Sequence, residues 1–226
     1  MSSKICKNPY LNSFFLGILA GIAIGVGGTL FLLFLSINQK FLGAVSFCVG
    51  LLTICYLGLH LYTGKIGYVL ENNKKFIFFL LIIYIGNIVG ATAMGYLIGL
   101  TLLKDTVISV CQNKLIAING GTGQSIAHML GMSFFCGNFV FLAVDIFKKN
   151  KNHFIKVLGI LICITGFVML NNEHCVANMF YFAVGNIYQT DALAAILSIL
   201  IATIGNSIGS IVLYLVINNS QFRKYL

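Results

Sequence analysis

Long apolar stretches alternate with short polar ones along the whole chain. Nearly unbroken hydrophobic runs fall near 11–36, 42–62, 76–103, 124–147, 154–170 and 191–217. A helix rises about 1.5 Å per residue, so about 20 apolar residues cross the hydrocarbon of a bilayer. The pattern predicts an all-α membrane protein with six transmembrane helices, the run 154–170 being the shortest. The first run follows the polar Met1–Pro9 segment; it is too long for a removed signal peptide and lacks a clear small-residue cleavage site.

Two polar interruptions stand out against this background. Asn171-Asn172-Glu173-His174 puts an acid and an imidazole between the apolar run 154–170 and a second apolar piece, Cys175–Tyr188. In the second span, Gly58-Leu59-His60-Leu61-Tyr62-Thr63-Gly64-Lys65 turns polar before the short apolar piece Ile66–Leu70. Ionisable groups at membrane depth cost at least ~2.5 kcal/mol each, so they face a cavity, a partner or a solute. Broken backbone at that depth is tolerated only where it is buried in protein or lines a wet cavity. The second and fifth helices are therefore expected to be broken, with a solute pathway at the breaks.

A repeat supports this pathway. Gly86-Asn87-Ile88-Val89-Gly90 in the third span answers Gly205-Asn206-Ser207-Ile208-Gly209 in the sixth. Small residues four apart let helix backbones approach in lipid, but packing alone does not require the shared asparagine. With three spans per half, the second half starts on the opposite side of the membrane. The chain thus reads as one channel domain, 1–226, built from inverted three-plus-three repeats over about 11–103 and 122–217. Gly17, Gly21 and Gly25 in the first span form a strip for a close helix neighbour.

Composition agrees: 59% of residues are hydrophobic, 8% are charged and there is one proline, which excludes a soluble globular chain. The net charge of +9 is an orientation signal. With the N-terminus inside, Lys4, Lys7, Lys65, Lys74, Lys75, Lys148, Lys149, Lys151, Lys156, Arg223 and Lys224 lie on the inner side. Only Lys40, Lys104 and Lys114 lie outside, so both termini are expected to be cytoplasmic in a multi-pass protein of the cell (inner) membrane. Nothing groups these charges into a nucleic-acid site. Cys6, Cys48, Cys55, Cys111, Cys136, Cys163 and Cys175 lack CxxC or Cys/His ligand spacing, so neither disulfides nor a metal site is expected. Asn119-Gly120-Gly121-Thr122-Gly123 lacks the lysine and strand of a phosphate loop. His128 is expected to be hydrogen-bonded between helices and His153 to be solvated, while His60, which precedes the first break, is left between two readings, a substrate ligand or a side chain pointing into the bundle.

Leu61-Tyr62-Thr63-Gly64, Gly86-Asn87-Ile88-Val89-Gly90-Ala91, Leu142-Ala143-Val144 and Glu173-His174-Cys175-Val176-Ala177-Asn178-Met179 together resemble the formate/nitrite transporter family, which includes formate, nitrite and hydrosulfide channels. The resemblance implies an aquaporin-like fold, a homopentamer in the lipid bilayer, a small monovalent anion as substrate, and one pore per protomer. It implies no cofactor and no enzymatic activity. Carried over by motif, His174 and Thr63 face each other in a central chamber, Asn178 supports the second break, and Phe47, Leu51, Leu61, Tyr62 and Phe167 form two apolar constrictions. Glu173 anchors the break instead of touching substrate.

The chain departs from the family pattern in several places. His60 stands where an acid is common, Tyr62 replaces a phenylalanine, and Lys65 replaces a small polar residue. Gly137 follows Cys136 where asparagine is usual. The lysine many members hold before the fourth span falls by spacing near Gly121, and Lys114 looks too distant to replace it, so the outer mouth is expected to lack that charge.

A bare anion crosses an apolar constriction only at high cost, whereas a weak acid can cross as a neutral molecule. Histidine, with an ordinary pKa near ~6.5, suits either proton exchange or neutral hydrogen-bond donation in the chamber. The alternatives are a proton-coupled symporter of the same anions and a membrane haem protein using His60, His128 and His174.

Overall fold

The computed structural model describes residues 8–101, 108, 110, 114–115 and 123–219. Lys4, Cys6, Lys7, Lys104, Cys111, the glycine run 119–122, Arg223 and Lys224 lie outside them. The described residues are helical without strands: α1 (Pro9–Ser36), α2 (Lys40–Leu57), a 3-10 helix (Ile66–Glu71), α3 (Lys74–Gly99), α4 (Gly123–Lys149), α5 (His153–Met169), α6 (Cys175–Val184), the short α7 (Ile187–Thr190) and α8 (Ala192–Asn218).

Five of these, α1, α2, α3, α4 and α8, are long and apolar enough to cross a membrane. The fifth predicted span forms α5, 17 residues, and the 10-residue α6 follows it. At about 1.5 Å per residue α6 is too short to cross the hydrocarbon, and α5 lies at the lower limit. The helix starts follow local chemistry. Asn8, Asn73, Asn152 and Asp191 each accept a backbone N–H of the first turn of α1, α3, α5 and α8, meeting donors that the helix itself cannot satisfy. α2 ends at Gly58, whose left-handed φ of 66° suits glycine.

α1 packs on α2 and α3, and α4 packs on α5 and α8. The pieces beyond the two interruptions cross over: the 3-10 helix lies on α8, while α6 lies on α3. Lipid tails are as apolar as leucine, so helix association here depends on close packing and hydrogen bonds more than on exclusion of water. Gly90 and Gly209 supply the close packing. A Cβ on either would collide with a carbonyl oxygen across the interface, that of Ile18 or of Phe134. All of α6 is buried, whereas large apolar side chains such as Phe15, Leu97 and Leu193 cover the outer faces.

Candidate functional site

Two buried asparagines hold the interrupted segments. Asn87 accepts the Tyr62 N–H (2.9 Å) and donates to the carbonyls of Gly17 (2.8 Å) and His60 (2.9 Å). Asn206 accepts the Cys175 N–H (3.0 Å) and donates to the carbonyls of Ser133 (2.8 Å) and Glu173 (2.8 Å). In each interruption one N–H and one carbonyl without helical partners are thereby satisfied, the condition for irregular backbone in a membrane interior, and the third bond ties the asparagine to a neighbouring helix.

These anchors bring Thr63 and His174 together. Thr63 Oγ1 lies 2.9 Å from His174 Nε2, and both residues are buried. His174 is also the N-cap of α6: its Nδ1 accepts the Ala177 N–H at 3.1 Å. Accepting that bond requires a lone pair on Nδ1, so the neutral ring carries its proton on Nε2 and donates it to Thr63. The Thr63 hydroxyl hydrogen is then free to point at another acceptor. Protonating Nδ1 would break the cap.

Apolar side chains flank this pair. The Phe167 ring lies 6.0 Å from the His174 ring and 5.7 Å from Phe47, nearly perpendicular to the latter. Leu51 and Leu61 are buried in the same core. Two cavities approach from opposite directions, labelled by the sidedness that the basic residues predict. The outer one, about 920 Å3, is lined by Phe47, Phe167, His174 and Asn178 among others. The inner one, about 320 Å3, ends on Leu61 and Gly64 and is lined by Lys65, Lys148 and Lys156.

The outer cavity contains the charge that sequence spacing did not supply. Lys114 Nζ makes a 2.9 Å ion pair with Glu173 Oε2, each side chain 13% exposed, and the same carboxylate oxygen accepts from Asn178 Nδ2 at 2.8 Å. The expectation of an outer mouth without its lysine is therefore corrected: Lys114 lies beside the second interruption because folding, not chain distance, sets its position. The signal was available, since a carboxylate at membrane depth demands a cation and the outer side offered only three. Lys40 was also missed. It donates to Asn171 Oδ1 (2.9 Å) and to the free carbonyl of Met169 (3.2 Å) at the end of α5. Asn172, buried with its Nδ2 unpartnered among the described residues, lines the same cavity.

A sequence model of the formate/nitrite transporter family matches residues 2–219, nearly the whole chain. The chain belongs to the formate/nitrite transporter family. Members of this family are transporters and channels, not enzymes, and this one is a multi-pass membrane protein. No curated protein matches it with significance. Among solved structures, it is similar to a pentameric formate channel with formate bound, at 20% identity and a TM-score of 0.67 over 96% of this chain and 95% of that one. It is also similar to an FNT family ion channel, at 24% identity and a TM-score of 0.73 over 90% and 85% of the two chains. At these identities the likeness establishes the fold.

The departures from the formate/nitrite transporter pattern have distinct surroundings. The Tyr62 hydroxyl meets Ser207 Oγ at 3.0 Å and its ring packs on Tyr84, so Tyr62 lines neither cavity. His60 is half-buried and also lines neither cavity, and its Nδ1 has no partner among the described residues. His128, expected between helices, is instead exposed and lines the outer cavity, because its face of α4 opens toward that space. Exposed His153 stacks on Tyr56.

Proposed function

We propose that each chain forms a pore for a small monovalent weak-acid anion, such as formate, nitrite or hydrosulfide, with Thr63 and His174 at its centre. The observation that carries this reading is the buried 2.9 Å contact between Thr63 and His174, where the two interrupted segments meet. The outer cavity ends on His174 and the phenylalanines, the inner cavity on Leu61. The proposed path between them runs past these apolar side chains, with the Thr63 hydroxyl available to an anion.

In this reading Phe47 and Phe167 on the outer side and Leu61 on the inner side, with Leu51 and Tyr62 in the layer between the cavities, strip the anion of water on either side of the pair. The Thr63 O–H, polarised by the His174 Nε2–H, donates to the anion. His174 acts as a neutral donor because its Nδ1 is committed to capping α6. A proton that neutralises the anion then comes from water in the cavities, not from the ring. Lys114 neutralises Glu173, and together with Asn178 the pair holds the interruption in shape.

The matching roles of Asn87 and Asn206 support an inverted repeat with broken second and fifth helices. The lysine distribution supports cytoplasmic termini, and likeness to a pentameric formate channel supports a homopentamer. Stopped-flow light scattering of proteoliposomes in formate, nitrite and hydrosulfide gradients, with glycerol as neutral control, tests the reading. Rapid anion flux without glycerol flux is expected. Saturation at low substrate with steep temperature dependence would indicate a proton-coupled symporter instead, and no anion flux would refute transport of this class.

A further inference from the structure

We propose that the inner cavity is a binding site for a compact polyvalent oxyanion, such as a di- or triphosphate group, held by Lys65, Lys148 and Lys156. Occupied, it closes the pore from that side; this consequence rests on the proposed transport function.

The three lysines line one cavity of about 320 Å3 that ends on Leu61 and Gly64. None makes an ion pair with a carboxylate among the described residues. Of the nearby acids, Asp145 accepts from Tyr68 at one oxygen and pairs with Lys149 at the other, while Glu71, which accepts from the neutral Tyr214 hydroxyl, keeps its charge but makes no ion pair with any of the three. Two of the ammonium groups are held over aromatic rings, Lys148 at 3.8 Å from the centre of Tyr68 and Lys156 at 4.9 Å from that of Phe147. Such contacts orient a cation without neutralising it.

Topology alone does not account for this arrangement. Basic residues that set orientation need only sit near the membrane face, as the exposed Lys74, Lys75 and Lys151 do. Lys65 and Lys156 instead are half-buried and face the same space as Lys148. Among the described residues, three lysines against the one unpaired carboxylate nearby, Glu71, leave two positive charges, more than one monovalent anion neutralises. The volume, enough for about ten waters at ~30 Å3 each, far exceeds what formate fills. A multiply charged oxyanion satisfies both the charge and the size, and charge-assisted bonds to several lysines favour it over a monoanion.

Isothermal titration of inorganic pyrophosphate into the detergent-purified full chain, with acetate as the monovalent control, tests the site directly. Expected is pyrophosphate binding with a Kd below about 1 mM at low salt, at least about tenfold weaker in Lys65→Gln and in Lys156→Gln, retained in Lys65→Arg, and unchanged in the outer-side variant Lys40→Gln. Absence of pyrophosphate binding to the wild-type protein, or binding that both glutamine variants retain, would overturn the proposal. Circular dichroism of each variant checks that its fold is kept. Formate flux with pyrophosphate on the inner side then separates the two readings. Block abolished by Lys65→Gln supports both, whereas lysine-dependent binding without block keeps the site and removes the inner cavity from the transport path.

Discussion

Asn87 and Asn206 make the same three hydrogen bonds in the two halves of the chain. Each accepts one backbone N–H beyond an interruption and donates to one carbonyl of the interrupted segment and one of a neighbouring helix. Replacing either by leucine keeps the volume and strands one N–H and one carbonyl at the interruption, since the third partner, Gly17 or Ser133, keeps its own helical bond. At about 1–3 kcal/mol per orphaned buried group, the loss is several kcal/mol. Asn206→Leu and Asn87→Leu are expected to lower the melting temperature in detergent strongly and to similar extents. An unchanged melting temperature in either would contradict the anchoring role.

His174 has two separable jobs, capping α6 through Nδ1 and meeting Thr63 through Nε2. Asparagine can still cap, as it does for α1, α3 and α5, but is too short to reach Thr63 as well. His174→Asn should therefore keep near-wild-type stability while formate flux falls by about tenfold or more, the equivalent of ~1.4 kcal/mol. The flux that remains should keep the wild-type pH profile, because the capped ring does not titrate during transport. Loss of a step near pH ~6.5 in the variant would instead assign proton transfer to the ring.

Lys114 and Glu173 form a largely buried ion pair that also holds Asn178. Removing one partner of such a pair leaves an uncompensated charge and costs about 3 kcal/mol or more. Lys114→Met should destabilise clearly, and adding Glu173→Gln should restore part of the loss. Thermal melts of the single and double variants measure the coupling. Additive effects would mean that the contact contributes nothing.

Gly137 replaces the family's usual asparagine because α8 leaves it no room: a Cβ there would strike the Asn206 carbonyl oxygen. Gly137→Ala is expected to cost about 1–3 kcal/mol through overpacking. Gly166→Ala is the control, since its Cβ would meet the Phe139 ring at an ordinary 3.6 Å. That variant should be neutral or slightly stabilising, by up to ~1 kcal/mol from helix propensity. Equal melting shifts in the two variants would remove the steric explanation.

Much of this was legible in the sequence because hydrophobic length decides where helices run, and the six apolar runs coincide closely with α1, α2, α3, α4, α5 and α8. The interruptions were legible as polar islands, and the repeated asparagine pointed to a shared structural task. What the chain order concealed were contacts made across long sequence separations. Lys114 reaches Glu173 from a distant segment, and Lys40 reaches the end of α5 from the start of α2. No periodicity encodes such pairs; only the general demand of a buried acid for a cation hinted at the first. The Tyr62 hydroxyl was equally hidden, because its Ser207 partner lies on α8.

Thr63 offers the most direct test of a pore centred on the threonine–histidine pair. Formate flux into proteoliposomes should be compared for the wild-type chain, Thr63→Ser and Thr63→Val, with glycerol as control. Valine matches threonine in shape but has no hydroxyl, whereas serine keeps it. Wild type and Thr63→Ser should carry formate and exclude glycerol, while Thr63→Val should lose about tenfold or more of the flux with its fold intact. Formate flux in Thr63→Val equal to wild type, or no weak-acid flux in the wild-type chain, would contradict it.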